Sequence, residues 1–390
     1  MLSNIKNLLK SIALVPSVLA LSFFVLAIFL VSVNISYETY SPFKALIITN
    51  SGDIQFILAY VIGGIFTLTI FSYTMVMNVI NRNINNYSPR LIPLILSQRH
   101  HQIILGFTSG TIIYSIVLSI SLINRNSDYF PSIGAALAAI FSIVCVFIFI
   151  YFIHSVSKSV HINYILMELY RRTHDQMHKR DKSYGVKDPL PAIASFEFEI
   201  RCENTGVLRL YSIGRLKKLS NSLGCKIQVN KVCGEHVFID DILLRTDKRI
   251  NESQISKLKG LFAIGHEVAV DVHEIGFKHF VEVAVKASSP AINDPGTSKS
   301  CIDYLTQLFI SRLSLHFDSN IISICNSNIN VCQITTRKLL IECFVEMYRY
   351  MKDDPLLKPT LKKSLRTITS KTTQEIDFDW NKLKRYDGLL

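Results

Sequence analysis

The chain has 390 residues, is 49% hydrophobic and carries a formal net charge of +12. That basic excess suits any polyanion, but no helix-turn-helix pattern, RNP-like strand or basic run interleaved with aromatics accompanies it, which argues against nucleic acid as a partner. The mean hydropathy of +0.30 hides a division: up to about residue 158 long apolar runs dominate, and beyond it Lys, Arg, Asp and Glu are common.

A hydrocarbon core ~30 Å thick needs roughly 20 apolar residues per crossing helix. Four segments qualify, at about 11–33, 55–80, 103–123 and 132–157. The first follows Lys6 and Lys10, and its apolar run exceeds the ~7–15 residues of a signal-peptide core, so it reads as a retained anchor.

On the second segment Thr67, Phe71, Thr74, Asn78, Asn81 and Asn85 recur in alternating steps of four and three, which keeps them on one helical face. Five of the six are polar, and a polar stripe in a bilayer must face protein or water. It reads either as a helix–helix seam or as the lining of a pathway, with Thr67, Thr74, Asn78 and Asn81 as the lining residues. In the following loop, "NNYSPRLIPLIL", Ser88 and Pro89 suit the N-cap and first position of a short interfacial helix. The third segment places Gly106 and Gly110 four apart, a small-residue spacing that lets helix backbones approach.

The fourth segment ends with Tyr151, His154, Lys158 and His161 on one face. Seven residues separate the two histidines, about 10 Å along a helix, so a single metal ion cannot take both. His154 and Lys158 read as anchors at the membrane interface. In "HDQMH" the i, i+4 pair His174 and His178 has metal-ligand spacing but no third ligand, and reads as a solvated helix face.

The basic residues set the orientation. They concentrate at Lys6 and Lys10, at Arg82, Arg90 and Arg99, and at Lys158, Arg171, Arg172, Lys179 and Arg180, whereas the other two loops hold only Lys44 and Arg125 against three acids. Both termini are therefore expected in the cytoplasm, with anionic lipid attracting the juxtamembrane charge. The eight cysteines include no C-x-x-C pair, and those placed in the reducing cytosol are expected as free thiols. No metal or cofactor is indicated.

The expected fold is an α-helical membrane domain of four transmembrane helices (1–158), a connecting helix and linker (159–190), and a cytosolic α+β domain with a helical second half (191–390). "SFEFEI", "GVLRLYS", "CKIQVNKV" and "HVFIDDILLRT" read as strands, the last two separated by a turn at Cys233-Gly234-Glu235, and "IGRLKKLSNSLG" as a helix ending on Gly224. Helices are predicted at about 253–264, 270–288, 298–314, 336–351 and 358–370, with a short strand pair near 321–325 and 330–335 and a polar tail at the end. His266, His273 and His279 form no i, i+4 ligand pair.

Between two of these helices lies "SPAINDPGTS". Pro290 disfavours helix in the residue before it, Asn293 and Asp294 suit an Asx turn, and Thr297 or Ser298 can cap the next helix. The corner presents Ser289, Asn293, Asp294 and Thr297. Asp303 lies further along that helix, close enough to reach Lys278 or Lys286 on the preceding one. Three roles are open: a corner that positions two helices, a ligand or subunit contact, or catalysis with Asp294 and Asp303 as acid and base, for which the usual nucleophile-plus-base set is missing.

"YFIH" at 151–154, "SPR" at 88–90 and "SPAINDP" at 289–295, followed by "CIDYL", resemble the bacterial DUF2254 family of predicted membrane proteins. Lys278 stands where that family's pattern has Arg, Glu282 where it has Asp, and Ala291 where it has Gly; a lysine cannot reproduce bidentate arginine geometry. The resemblance implies four membrane helices plus a cytosolic domain, and no activity. Taken together, the residues suggest a multi-pass protein of the bacterial inner membrane, most simply a homo-oligomeric channel or transporter-like pathway regulated by its cytosolic domain. The alternatives are a membrane-anchored enzyme or sensor that binds a small cytosolic ligand at 289–303, and a scaffold with no pathway.

Overall fold

The computed structural model of the chain describes residues 14–32, 51–86, 99–124, 132–159, 161–184, 196–265, 272–324, 327–371 and 378–388. The interfacial helix expected from Ser88 and the linker around 185–195 lie outside the described residues. The chain divides into two compact units, residues 1–85 with 89–162, and residues 86–88 with 163–390.

Four helices form the first unit: α1 (Leu14–Ser32), α2 (Ser51–Asn86), α3 (Arg99–Asn124) and α4 (Ser132–Ser159). Each contains a stretch long and apolar enough to cross a bilayer, namely Leu14–Ser32, Gly52–Val79, His101–Ile123 and Ile133–Val156. The glycine spacing on α3 works as a packing device. A Cβ on Gly106 would lie 2.9 Å from Pro16 Cα, and one on Gly110 would lie 2.8 Å from the Phe23 ring, so α1 rests directly on the α3 backbone. Phe23 then meets Phe107 edge-on and Phe141 at a tilt, and the buried Tyr114 hydroxyl donates to the Gly134 carbonyl at 3.0 Å. By contrast, among its described side chains α2 buries the line Ile54, Leu58, Val61, Ile65 and Val79.

The second unit opens with α5 (Ile162–Tyr184). Its first half is built on two sheets. One has the order β1-β5-β3-β8-β7, from strands Phe198–Arg201, Ile242–Thr246, Ile227–Val229, Ile329–Cys332 and Ile321–Ser323. The other runs β4-β2-β6, from His236–Val237, Gly206–Tyr211 and Phe262–Gly265. All pairings are antiparallel except β3 with β8, where Ile227 faces Ile329. That parallel pair ties a strand from the end of the chain into the core of Leu208, Leu216, Val229, Leu244, Leu258 and Val331. Helix α6 (Ile213–Leu223) is capped by Ser212 and ends on Gly224 at φ 57°, the left-handed stop the sequence signals. A second layer holds α8 (His273–Ser288), α9 (Pro295–Leu313), α10 (Thr336–Met351) and α11 (Leu357–Ser370), joined through Phe277, Phe280, Leu305, Phe309, Phe344 and Leu365.

The membrane helices and the α+β domain with a helical second half are thus as the sequence suggests, with local corrections. The helix expected over 253–264 is α7 (Glu252–Lys259), closed in a capping box by Asn251 and Gln254. The apolar "FAIG" after Gly260 instead becomes β6, which covers the edge of β2. The single strand read in "HVFIDDILLRT" is two, because Asp240 turns the chain at φ 68° while the Asp241 carboxylate accepts from the Phe238 amide at 3.1 Å. The polar tail contains α12 (Trp380–Gly388), anchored by buried Leu383 and by Trp380 edge-on against Tyr348.

Helix α5 lies so close to α8 that a Cβ on Gly276 would stand 2.1 Å from Thr173 Oγ1. Gly276→Ala should therefore destabilise the unit by about 1–3 kcal/mol through overpacking. Gly214→Ala, on α6 where nothing lies within 4 Å, should be neutral or slightly stabilising. Melting of the full-length protein in detergent reads both; equal melting of the two variants contradicts the close approach.

Candidate functional site

The corner between α8 and α9 follows from its residue types. Pro290 forces Ser289 into an extended backbone (φ −67°, ψ 147°), so α8 stops at Ser288. The chain then folds back through amides of Ile292 and Asn293 donating to the Ser289 carbonyl at 3.1 and 2.8 Å, and the Asp294 amide donating to the Ala287 carbonyl at 2.8 Å. Asn293 sits in the left-handed region at φ 48°, which Asn tolerates better than other residues with a Cβ. The cap is Asp294 and not Thr297 or Ser298: its carboxylate accepts from the Thr297 amide at 3.0 Å and the Thr297 hydroxyl at 2.6 Å, with Pro295 at the first helical position. Ser298 Oγ donates across to the Ala284 carbonyl at 2.9 Å, and Ser289 Oγ donates to the Lys286 carbonyl at 2.6 Å.

Ser289, Asp294 and Thr297 are therefore brought together, and their polar atoms are engaged with one another and with backbone. Asn293 is exposed at the tip. Asp303 is exposed as well, and the pairing expected with Lys278 does not form: Lys278 Nζ lies 3.5 Å from Glu342 Oε2 on α10. Asp294→Ala should cost about 0.5–2 kcal/mol of stability as a lost cap, whereas Asn293→Gly should hold or raise the melting temperature because glycine favours positive φ. A thermal-melt comparison checks both signs.

The chemically unusual part of this unit lies at the other end of α8. His273 and Glu274 in its first turn, and Arg312 in the last turn of α9, are between 0% and 2% exposed. Arg312 Nη1 is 2.6 Å from His273 Nε2. Arginine only donates, so Nε2 is the lone-pair nitrogen; the ring is neutral, and its proton sits on Nδ1, 3.3 Å from Glu274 Oε2. Arg180 of α5 closes the array, donating from Nη1 to Glu274 Oε1 at 2.7 Å. Arg312 also donates from Nη2 to the Ile334 carbonyl at 2.5 Å, and its guanidinium lies 3.9 Å from the centre of the Phe317 ring.

Electrostatics follow from this order. Burial pushes His273 well below the usual imidazole range, and the two arginines add to that against the pull of Glu274. Burial alone would raise Glu274, but Arg180, then His273 and Arg312, outweigh it and hold the carboxyl at about 2. Burial lowers Arg312 to about 10, with Glu274 opposing.

Sequence reading missed this array and Gly276. The available signal was Arg312 itself, which continues the apolar face Cys301, Ile302, Leu305 and Leu308 at helical spacing. The "HDQMH" face is not solvated as expected, because α5 packs there: His178 Nε2 lies 3.0 Å from Ser311 Oγ, and the His174 and His178 rings are 4.3 Å apart. Nearby, Asp181 Oδ1 accepts from the His316 amide at 3.1 Å. Burial also raises the thiols of Cys301 and Cys343, which leaves them unreactive.

In the first unit Thr67, Thr74, Asn78 and Asn81 all lie on the face of α2 that its own chain leaves uncovered. The Thr67 and Thr74 hydroxyls donate to the Gly63 and Ile70 carbonyls at 2.8 and 3.0 Å. His154 is exposed on α4, and the side chain of Lys158 lies outside the described residues.

Four helices long and apolar enough to cross a bilayer, followed by an α+β unit, define a membrane protein with a large second domain. The model of the family DUF2254, described as a predicted membrane protein, matches residues 10–367, and the chain belongs to that family. No curated protein and no solved structure matches it.

Both shifted groups make the fold acid-sensitive. His273 is depressed, so below about pH 6.5 the unfolded chain binds a proton that the folded one refuses, and stability falls as pH falls. The slope approaches about 1.4 kcal/mol per pH unit for one such group. Glu274, with its folded value near 2, adds its own loss below about pH 4.5. His273→Gln keeps an acceptor for Arg312 but cannot titrate, so its melting temperature should change less between pH 6.5 and 5 than the parent's; parallel pH profiles would contradict the assignment.

Proposed function

We propose that the protein is a homo-oligomeric membrane channel or transporter-like pathway in which α2 faces its counterparts, and that the soluble unit regulates it from the cytoplasm. The observation that carries this reading is the position of the α2 stripe. A seam within the chain requires the stripe to meet α1, α3 or α4, yet α2 uses the line Ile54 to Val79 for that, and Thr67, Thr74, Asn78 and Asn81 stay exposed. Beside Gly63, a turn before Thr67, nothing lies within 4 Å. A polar face turned away from its own bundle in a bilayer calls for protein or water, and a second copy with a wet path between protomers supplies both.

Regulation rests on α5, which follows the last membrane helix in the chain after a break of two residues. It is fixed to both helices of the hairpin through Thr173 against Gly276, Arg180 with Glu274, and His178 with Ser311. A change at the hairpin would be felt by α5, the element of this unit nearest in sequence to the membrane segments. The basic loops support a cytoplasmic position for the soluble unit and both termini, in the inner membrane of a bacterium.

Cysteines placed at Thr67, Thr74 and Asn78 should react with small hydrophilic thiol reagents much faster than cysteines at Leu68 and Met75, because the reactive thiolate needs water. Equal protection of all five would remove the pathway. Equal reaction of all five would show a loosened helix and remove the specific face.

A further inference from the structure

Helix α11 carries a one-sided charge that no carboxylate among the described residues answers. Between Pro355 and Gln374 there are five cations, Lys358, Lys362, Lys363, Arg366 and Lys371, and no Asp or Glu. The buried side of the helix is Leu357, Leu361, Ser364, Leu365 and Ile368. Lys358, Lys362 and Arg366 follow one another at i, i+4 along the opposite side, with Lys363 beside them; Lys358, Lys363 and Arg366 are exposed. Like charges at that spacing repel, and among the described residues none of the five cations has an acidic partner. Elsewhere in the unit Lys231, Arg245, Lys259 and Lys278 do each meet a carboxylate. At the start of the helix, on the side of Lys363 two turns further on, Leu356 is 66% exposed.

We propose that this face of α11 docks on the anionic headgroups of a phospholipid bilayer, with Leu356 reaching into the interface. The chemistry fits a lipid surface in three respects. The cations form a row on one side of a rigid rod, suited to a planar array of phosphates. They are mostly lysines, which act as point charges on flexible stems and do not need the fixed geometry of a single phosphate site. An exposed apolar residue stands at the same helix's start, on the side of Lys363, which a headgroup layer accommodates and a nucleic-acid backbone does not use. The chain is itself a membrane protein, so anionic lipid is within its surroundings throughout its life.

The test uses the full chain in nanodiscs, with lysine-acylation footprinting read by mass spectrometry. One set of discs is purely zwitterionic; the other contains about a third anionic phospholipid. Lys358, Lys362 and Lys363 should lose reactivity about five-fold or more in the anionic discs. The effect should vanish in about 1 M salt, where the screening length falls to about 3 Å. Exposed Lys218 on α6 and Lys257 on α7 serve as controls and should react alike in both. In the variant Lys362→Glu, Lys363→Glu, Arg366→Glu, the remaining Lys358 should become indifferent to lipid charge. Equal footprints in the two discs overturn the proposal, as does protection of the controls to the same degree or persistent protection of Lys358 in the variant. Protection by a duplex oligonucleotide in zwitterionic discs, with none from anionic lipid, would assign the face to nucleic acid and overturn it as well.

Discussion

The second unit is organised around a buried charge array that no part of it can relinquish alone. Arg180, Glu274, His273 and Arg312 come from α5, α8 and α9, and two cations face one anion across a neutral imidazole. Removing one member of a buried pair typically costs about 3–5 kcal/mol, because its partner is left charged and unsolvated. A domain whose whole stability is about 5–15 kcal/mol cannot absorb that readily. The excess positive charge is carried by Arg312, and its setting explains how: one guanidinium nitrogen meets a main-chain carbonyl, another meets the imidazole, and the Phe317 ring lies against the flat face. Arginine is the cation whose shape permits this.

Everything else in the helical layer is arranged so that α5 can reach the array. Gly276 has no side chain because Thr173 occupies its space. Tyr170 lies against Tyr304, and His178 and Asp181 reach Ser311 and His316. From Tyr170 to Asp181 these contacts extend about 17 Å along the helix at 1.5 Å per residue. The Asn-Asp-Pro corner serves the same end from the far side. By closing α8 onto α9 through backbone bonds and one carboxylate cap, it fixes the registry in which His273 and Arg312, 39 residues apart, come into contact.

How much of this was readable depended on the range of the interaction. The membrane helices, Gly224 as a helix stop, the glycine seam on α3 and the Pro290 break all follow from local chemistry, and each appears where the residues put it. Strand β6 was misread because "GLFAIG" has no alternation of its own and takes its conformation from β2. The array was invisible for a similar reason: His273 and Glu274 look like ordinary first-turn polar residues until Arg180 and Arg312 are brought beside them. The capping residue of α9 illustrates the intermediate case. Thr297 has the right chemistry, but Asp294 is placed one turn earlier, directly before a proline, and its carboxylate takes both the Thr297 amide and hydroxyl.

The two units treat polar groups in opposite ways. In the core of the second unit, Glu274 and Arg312 are buried and answered within the chain, Glu274 by Arg180. On α2, polar groups are left facing outward in a setting where water is scarce. Thr67 and Thr74 return their hydroxyls to their own helix, so the deeper part of the stripe can face lipid without an unsatisfied donor. Asn78 lies one residue from the end of the apolar span at Val79, within reach of headgroup water. The need for protein or water therefore falls on the amides of Asn78 and Asn81 and not on the threonines.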